Sequence, residues 1–424
     1  MSNPEEKKTH QALGQELGLF FMSDQAVGSP FILPNGKIVT QKLLDYFRNY
    51  YQLHGYNEVE TPNLFESSCF QTSGHSEKYS ENIFHISRFQ HHTTEIEELD
   101  LKPMNCPGDC LIFDHLQPSY HQLPYRIADF GILHRNELRH SLRGLTRVRR
   151  FQQDDAHIFC QLEQVEGELD SLLDLMRDFY SYWGFSYKLE LSTRPEQYIG
   201  ELENWNRAES ILRDKLEERF GSLGDGKWEI NEGDGAFYGP KIDFQIKDTL
   251  DRWHQCGTIQ LDFNLPKRFK LKYQAVDKKE EPVIIHRAIM GSVERFLAIV
   301  LEDTQGCLPY WFSPRQIYIV PIHQKLIQDF PDYFQELREI LRPTRTAWKG
   351  SLSYRVEYKL DDSDLTMKKK IKLAHEEKYN YLLVIGKKEI AEKKITLQSG
   401  TTEIENTSLT FEELKQFLED QRIY

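Results

Sequence analysis

The chain has 424 residues, of which 39% are hydrophobic and 28% charged, and its formal net charge is −13. A chain of this length is expected to form two or three domains, and its apolar content excludes global disorder. The acidic balance argues against a protein that coats DNA, and no apolar run is long enough to span a bilayer.

The N-terminus and the cysteines indicate the compartment. Residues 1–16 lack the apolar core of a secretory signal, and Glu5, Glu6 and Glu16 argue against a mitochondrial transit peptide. The six cysteines are scattered, so a disulfide framework is not expected. We therefore expect a cytoplasmic protein, with a mitochondrial or other organellar location as the alternative.

Most of the chain predicts an antiparallel sheet with helices. Helical periodicity covers residues 38–53 and 165–182. Runs in which apolar and polar residues alternate, as in half-buried antiparallel strands, cover residues 57–65, 126–133, 147–159, 187–193, 236–246 and 254–263. The polar residues 221–235 predict a loop, and residues 282–303 predict a strand that enters a helix near Gly291.

A domain boundary is expected near residues 308–314, where two prolines interrupt the periodicity. This predicts one domain over residues 1–312 and a second over residues 313–424. Beyond the boundary, strands alternate with helices, which predicts a small α/β domain with a largely parallel sheet. The predicted strands are 317–322, 354–360 and 381–386, and the predicted helices are 324–342 and 365–378.

The segment 133–159 carries six arginines in an acidic chain, followed by an acidic pair and a histidine. Arginine forks bind phosphate or carboxylate through bidentate hydrogen bonds. Arg135 and Glu137 are two residues apart, so on a strand they would face the same side, and Arg147 and Arg149 share this spacing. A solvated basic hairpin is the alternative interpretation.

Two sets of metal ligands fit the sequence. Cys106, His157 and His286, each beside a predicted turn or at a predicted strand end, would make a three-ligand zinc site with an open position, as in catalytic zinc centres. Cys106 and Cys110 with His157 and Cys160 would instead make a closed, structural site. Spacing alone does not decide between them.

Six sequence motifs then resemble a known family. Residues 134–160, which contain HRNE and RVRRFQQDDAHIFC, resemble motif 2 of class II aminoacyl-tRNA synthetases. HRAIMGSVERF resembles motif 3, and GYNEVETPNLF, with Pro62, resembles motif 1. The motifs KPMNCPG, GDGAFYGPKID and QCGTIQLDFNLP narrow the resemblance to the threonyl-tRNA synthetases. The resemblance implies an α/β fold with an α+β catalytic core: an antiparallel sheet flanked by helices, plus a smaller anticodon-binding domain with a mixed sheet.

The resemblance also implies a reaction and its residues. It implies that threonine is activated by ATP and Mg²⁺ and then passed to tRNA, with Cys106, His157 and His286 binding one zinc ion that recognises threonine. The residues implied to contact threonine are Met104, Arg135, Gln153, Asp155, Tyr238, Gln260 and Ser292. Those implied to contact ATP are Arg135, Glu137, Arg147, Phe151, Lys241, Gln255, Thr258 and Arg295. The catalytic residues would be Arg135, Arg295 and His75, with His75 assisting the transfer to tRNA.

The resemblance also predicts binding partners, and the sequence differs from the family at one segment. The resemblance implies a homodimer through the motif 1 region and contact with tRNA(Thr). Candidate tRNA contacts are Arg139, Arg143, Lys368 and Lys369, with Lys370 and Lys372 in the same basic run as possible phosphate contacts, although solvated surfaces are the alternative. Residues 398–406 contain no arginine where relatives often have an arginine-rich strand.

We expect no hydrolysis of Ser-tRNA, because no editing motif is present. The alternatives to a threonine–tRNA ligase are a paralogue that loads threonine onto another carrier and a non-catalytic RNA-binding relative.

Overall fold

The computed structural model describes residues 7–89, 96–248, 251–341, 356–400 and 406–421. The helices are α1 (His10–Glu16), α2 (Pro34–Leu53), α3 (Ser67–Ser73), α4 (His75–Lys78), α5 (Cys106–Leu116), α6 (Val165–Tyr182), α7 (Leu202–Phe220), α8 (Leu265–Arg268), α9 (Val293–Asp303), α10 (Lys325–Asp329), α11 (Pro331–Leu341), α12 (Met367–Glu376), α13 (Lys387–Glu392) and α14 (Phe411–Asp420). The strands are β1 (Phe20–Phe21), β2 (Phe31–Ile32), β3 (Asn57–Val59), β4 (Leu64–Glu66), β5 (Phe84–Phe89), β6 (Ile96–Leu101), β7 (Tyr125–Asp129), β8 (Ile132–His134), β9 (Arg150–Cys160), β10 (Tyr187–Ser192), β11 (Trp228–Asn231), β12 (Lys241–Lys247), β13 (Trp253–Asp262), β14 (Tyr273–Gln274), β15 (Lys279–Glu280), β16 (Val283–Ser292), β17 (Ile317–Pro321), β18 (Tyr358–Leu360), β19 (Tyr381–Ile385), β20 (Lys394–Ser399) and β21 (Thr407–Thr410).

The chain forms two compact units. The larger unit comprises Met22–Phe31 and Phe47–Ile299, and the smaller unit comprises Met1–Phe21, Ile32–Tyr46 and Val300–Tyr424. The boundary at residue 312 stays a prediction. Among the described helices, none has both the length and the apolar character needed to cross a membrane.

The larger unit is built on one sheet with the strand order β11-β10-β12-β13-β16-β9-β7-β3, and β8 also pairs with β9. The neighbours pair antiparallel except for β3 with β7 and β10 with β11. This confirms the predicted class of fold, a mixed α/β structure with an antiparallel central sheet. Along β16 every residue is buried except Ser292, which is partly buried.

The helix α6 covers this sheet because its apolar residues recur every three or four positions. Leu169, Leu172, Met176 and Phe179 are all buried. The helix begins and ends where the periodicity predicts, at Val165 and Tyr182.

Three predictions for the larger unit were wrong in detail. The predicted loop 221–235 contains β11, which pairs parallel with β10 and buries Trp228. His157 and His286 lie within β9 and β16 rather than at strand ends. Arg135 and Glu137 follow β8 and do not lie on a strand. In each case the pairing partners are distant in sequence, so local patterns could not place the bounds.

The smaller unit contains a second, mixed sheet with the order β18-β17-β19-β20-β21. The pairs of β17 with β18 and β19 are parallel, whereas β19–β20 and β20–β21 are antiparallel. The mixed sheet is confirmed, and the largely parallel sheet predicted from the alternation of elements was wrong. The helix predicted over 324–342 is divided into α10 and α11, because Pro331 cannot continue the preceding helix.

Candidate active site

The centre of the larger sheet positions the functional side chains. His286 on β16 is in register with His157 on β9 and with Gln260 on β13. Since alternate residues of a strand face the same side, Gln153 and Asp155 lie on the same face of β9 as His157. The sheet therefore brings side chains from three sequence motifs together.

A glycine shapes one end of this arrangement. The register of β16 with β9 shifts between Ala288 and Ser292, which marks an irregularity in the strand. Gly291 has a φ of +72°, and a Cβ there would lie 2.5 Å from the carbonyl oxygen of Cys256. Only glycine fits this close approach, which lets the chain turn from β16 into α9.

The side chains surround one cavity of about 300 Å³. Every residue predicted to contact zinc, threonine or ATP lines it: Met104, Cys106, Arg135, Glu137, Arg147, Phe151, Gln153, Asp155, His157, Tyr238, Lys241, Gln255, Thr258, Gln260, His286, Ser292 and Arg295. The sequence reasoning missed five further lining residues, namely Thr146, Val148, Cys256, Arg287 and Gly291.

A candidate metal centre lies in this cavity. One possible ligand atom from each of Cys106, His157 and His286 lies within 4.8 Å of the other two, and all three residues are buried. Cys110 and Cys160, the rival ligands, are not part of this group within the described residues. The three residues of the predicted site with an open position therefore lie together, whereas the four residues of the alternative, closed site do not.

Both histidines of the candidate metal centre bind a buried carboxylate through one ring nitrogen. Nδ1 of His157 is 2.5 Å from Oδ2 of Asp109, and Nε2 of His286 is 2.9 Å from Oδ2 of Asp262. Carboxylates of this kind orient metal-binding histidines in known sites. One thiol and two oriented imidazoles suit zinc, so the donor set fits that ion.

The cavity holds these groups in a particular protonation state. Burial, followed by the charges of Asp155 and Asp262, raises the pKa of the Cys106 thiol well above its usual value. Burial alone would lower the pKa of His157, but Asp155 and Asp109 raise it. A cation bound here would therefore displace the thiol proton as it binds.

The residues predicted to bind threonine are fixed by neighbours. Asp155 accepts a hydrogen bond of 3.2 Å from the Asn105 side chain, and Gln260 donates one of 2.9 Å to the Gly239 carbonyl oxygen. Tyr238 lies with its hydroxyl 3.8 Å from the sulfur of Met104. These polar groups are adjacent to the candidate metal centre, where an amino acid could meet both.

Arginines and an aromatic ring form another part of the cavity wall. Cζ of Arg135 is 5.0 Å from the centre of the Phe151 ring, and Nε of Arg135 donates to the Pro103 carbonyl oxygen at 3.2 Å. Arg147 forms an ion pair of 2.7 Å with Glu137. This surface offers a flat apolar face beside cationic donors, which suits a nucleotide.

Asp243 organises three of the predicted ATP contacts, and the sequence reasoning missed it. Its buried carboxylate binds Lys241 at 2.6 Å, Gln255 at 2.5 Å and Thr258 at 3.0 Å. The signal was present in the alternation of Lys241 and Asp243 on one strand face. The partners on β13 could not be found without the register.

Arg295 and Glu294 are both held tightly at the start of α9. Arg295 donates to the carbonyl oxygens of Gln255 at 2.6 Å and Thr146 at 3.0 Å. Glu294 is 5% exposed and binds Arg150 at 3.1 Å. The two residues are therefore part of the cavity wall and its support, not a solvated helix face.

His75 is the one predicted catalytic residue that does not line the cavity. It is fully buried, with Nδ1 2.8 Å from the Ser73 hydroxyl and Nε2 3.3 Å from the sulfur of Met104. Burial, aided by the charges of His286 and Arg135, lowers the pKa of His75 to about 3. The imidazole is therefore neutral and touches the cavity through Met104.

The predicted tRNA contacts lie on surfaces of both units. In the larger unit Arg143 is exposed, and Arg139 is 73% exposed and pairs with Asp24 at 3.2 Å. In the smaller unit Lys368 and Lys369 are exposed on α12.

One of the predicted phosphate contacts is buried, and two segments lie outside the described residues. Lys370, expected in the same basic run as Lys368 and Lys369, is fully buried and donates to the Asp361 carbonyl oxygen at 3.2 Å, so a phosphate contact by Lys370 was wrong. Part of the loop before β6, residues 90–95, and residues 401–405 lie outside the described part of the chain.

Comparisons with known proteins identify the family of both parts of the chain. A family model for the tRNA synthetase class II core domain (G, H, P, S and T) matches residues 88–304, and one for an anticodon binding domain matches residues 316–421. A crystal structure of the RNA binding domain of threonyl-tRNA synthetase from Cryptosporidium parvum Iowa II is 44% identical to this chain. The match has a TM-score of 0.88 and covers 98% of this chain and 99% of that one.

Curated proteins give the same result at sequence level. The cytoplasmic threonine–tRNA ligase 1 of Mus musculus is 46% identical over 417 residues, which is 96% of this chain and 54% of the relative. The mitochondrial threonine–tRNA ligase 1 of Arabidopsis thaliana is 46% identical over 394 residues, 92% of this chain and 52% of the relative. The chain thus spans about half the length of the curated relatives it matches.

Proposed function

Because this chain belongs to the threonyl-tRNA synthetase family, we propose that it joins L-threonine to tRNA(Thr) through a threonyl-adenylate, at the expense of ATP. The observation that carries the proposal is the cavity of about 300 Å³, because it gathers the predicted zinc, ATP and threonine residues. These residues are spread from Met104 to Arg295 along the chain, so the sheet, not local sequence, brings them together.

The first step is activation of threonine. A carboxylate oxygen of threonine attacks the α-phosphorus of ATP, the bond to the β-phosphate breaks, and pyrophosphate leaves. Arg135 and Arg295 are held by backbone carbonyl oxygens, so their charges are in place before the transition state forms. Mg²⁺ enters with ATP as the counter-ion of its phosphates. Phe151 offers a face to adenine, and Glu137 accepts from its amino group.

Threonine recognition is proposed to use a zinc ion. Cys106, His157 and His286 would hold it, and when bound it would supply a Lewis acid able to coordinate both an amino group and a hydroxyl. Asp155, which accepts a hydrogen bond from Asn105, would accept another from the hydroxyl of threonine. Valine has no hydroxyl to offer and would leave these polar groups unpaired, which is why the site would reject it.

The second step transfers threonine to tRNA. The terminal ribose hydroxyl of tRNA attacks the carbonyl carbon of the adenylate, and AMP leaves. His75 is neutral, so we propose that it accepts a hydrogen bond from that hydroxyl; with a pKa of about 3 it is too weak a base to take the proton, and it cannot act as a general acid. Nε2 of His75 lies 3.3 Å from the sulfur of Met104, and Met104 lines the cavity.

Contacts with tRNA are proposed at exposed basic side chains. Arg139 and Arg143 follow the cavity segment that contains Arg135, which suits contact with the acceptor end. Lys368 and Lys369 suit phosphate contacts near the anticodon, since the family model over residues 316–421 is an anticodon binding domain.

A homodimer is proposed through the motif 1 region, that is, β3 and the segment through Pro62. Because β3 is the last strand of the larger sheet, its outer edge has no paired strand among the described residues. We expect sedimentation equilibrium to give twice the chain mass. A sharp monomer mass at micromolar concentration would contradict this proposal.

The location is proposed to be cytoplasmic, with an organelle as the alternative. The relatives include proteins named as cytoplasmic and one named as mitochondrial.

One pair of assays tests the whole proposal. Threonine-dependent exchange of pyrophosphate with ATP should occur and should fall in Cys106→Ala and after treatment with a zinc chelator. Absence of exchange in the intact chain would favour a non-catalytic RNA-binding relative. Charging of total tRNA should follow; exchange without charging would favour a paralogue that loads another carrier.

A further inference from the structure

Asp109 contacts the predicted zinc ligand His157, and it lies on α5, the helix that also carries the predicted ligand Cys106. It lies three residues after Cys106 in the first turn of α5, and its side chain is fully buried. Oδ2 is 2.5 Å from Nδ1 of His157, whereas Oδ1 has no hydrogen-bond partner among the described residues. The carboxylate therefore has a single hydrogen-bonding task in the folded chain, which is to hold His157.

The hydrogen bonds of the two histidines decide which ring nitrogens face the metal. An ionised carboxylate only accepts hydrogen bonds, so with Asp109 ionised the contact assigns an N–H group to Nδ1 of His157 and leaves Nε2 as the nitrogen that would bind the metal. His286 is bound through Nε2 to Asp262, which leaves Nδ1 for the metal. The two imidazoles would thus present opposite ring nitrogens to one ion.

The two supporting carboxylates differ in how they are anchored. Oδ1 of Asp262 accepts from the backbone N–H groups of Asn264 at 2.6 Å and Leu265 at 3.0 Å, so Asp262 is fixed without its histidine. Asp109 lacks such anchors and is fixed by α5 alone. Its bond to His157 therefore connects the helix that carries Cys106 with the strand that carries His157.

We propose that Asp109 is a positioning residue of the metal centre, which holds His157 in the tautomer and ring orientation that presents Nε2 to zinc. The inference rests on the zinc site of the proposed function. By joining two of the three ligands before the ion arrives, Asp109 raises the affinity of the site for zinc.

The chain contains a comparable aspartate–histidine pair away from the metal centre, in which the aspartate is buried and the histidine side chain is 50% exposed. Asp100 is also fully buried, its Oδ1 is 2.6 Å from Nδ1 of His85, and its Oδ2 has no hydrogen-bond partner among the described residues. His85 does not belong to the candidate metal centre. A variant of Asp100 therefore costs a buried carboxylate–histidine contact without touching the ligands.

The experiment measures the zinc dissociation constant of the full chain by competition with a chromophoric chelator. Asp109→Ala should weaken zinc binding by roughly 10–100-fold, the range typical for outer partners of metal ligands. Asp109→Asn, which keeps the size and an acceptor oxygen but loses the charge, should fall between Asp109→Ala and the unsubstituted chain. Asp100→Asn should bind zinc as the unsubstituted chain does.

The outcomes distinguish a failure of the inference about Asp109 from a failure of the proposed zinc site. Zinc binding that is equal in the unsubstituted chain, Asp109→Asn and Asp109→Ala would overturn this inference and leave the zinc site standing. An equal loss in Asp100→Asn would also overturn it, because the effect would then be general destabilisation. If Asp109→Ala does not fold, Asp109→Asn decides. A chain that binds no zinc before substitution would instead contradict the proposed function.

Discussion

His75 illustrates how burial defines the chemistry of a single side chain. Its pKa falls from 6.5 to about 3 in the folded chain, mainly because of burial. Between these pH values only the unfolded chain binds the proton, so His75 lowers the free energy of unfolding as the pH falls through this window. At neutral pH the imidazole is already neutral, and no titration of His75 should affect catalysis there.

We therefore predict a separation of the two catalytic steps in His75→Ala. Transfer of threonine from the adenylate to tRNA should slow by about tenfold, which corresponds to the loss of one hydrogen bond, while pyrophosphate exchange stays near its original rate. When single-turnover transfer is measured from about pH 5 to about pH 8, the ratio of the transfer rate of His75→Ala to that of the unsubstituted chain should stay constant. A ratio that changes tenfold across this range would mean that His75 titrates there.

Arg139 and Arg143 provide a second prediction for individual residues. Because both are exposed and belong to the segment that leads from Arg135, their loss should weaken tRNA binding rather than threonine binding. Arg139→Ala and Arg143→Ala should raise the KM for tRNA several-fold and leave the KM for threonine unchanged, since each removes a screened phosphate contact. Arg177, which is exposed on α6, offers the control Arg177→Ala. Equal effects in all three variants would reject a tRNA contact.

Single residues also mark the limit of what the sequence could predict. The cavity residues predicted to contact zinc, threonine and ATP followed from motifs, since each motif carries its own side chains. Asp243 and Glu294 did not follow, because their roles depend on partners that the strand register brings close. Asp109 was missed for the same reason: its partner His157 is 48 residues away.

At the scale of elements, the spacing of apolar residues predicted the bounds of helices and strands correctly where one face of the element is buried and a capping or helix-breaking residue ends it. The helix α6 matched its predicted bounds because its apolar residues face the sheet throughout. The strand β11 was missed because Gly and Asp flank it and only pairing with β10 makes it a strand. The helix α12 shows the opposite case, in which a uniform basic run hides one inward-facing residue.

Lys370 on α12 yields a prediction about stability. Its ammonium group is fully buried and lies 3.6 Å from Oδ1 of Asp361. The other carboxylate oxygen, Oδ2, accepts a hydrogen bond of 2.7 Å from the hydroxyl of Tyr318. Lys370→Ala leaves this carboxylate without its cation, so it should lower the free energy of unfolding by about 3 kcal/mol. Urea denaturation of the full chain should detect the shift.

The neighbouring Lys368 supplies the control for this prediction. Lys368→Ala removes an exposed charge on the same helix and should change the free energy of unfolding by less than about 0.5 kcal/mol. If both variants unfold at the same urea concentration, the buried ion pair does not stabilise the smaller unit.

At the scale of the whole molecule, the question is which amino acids a single cavity can exclude. Serine shares the amino and hydroxyl groups of threonine, so zinc and Asp155 would accept both. The methyl group that serine lacks contributes only about 1–3 kcal/mol of selectivity. Discrimination against valine is expected to be much larger, because its missing hydroxyl leaves buried polar groups unpaired.

We therefore predict that the 424-residue chain activates serine. Serine-dependent pyrophosphate exchange should have a kcat/KM roughly 10–200-fold below that for threonine, which corresponds to the loss of one methyl contact. We also propose that this chain does not hydrolyse Ser-tRNA, so Ser-tRNA incubated with it should decay at the rate seen without protein. Rapid clearance of Ser-tRNA would contradict the second proposal and leave the first intact. Cys106→Ala should lower the activation of both amino acids together, since both would depend on the proposed metal centre.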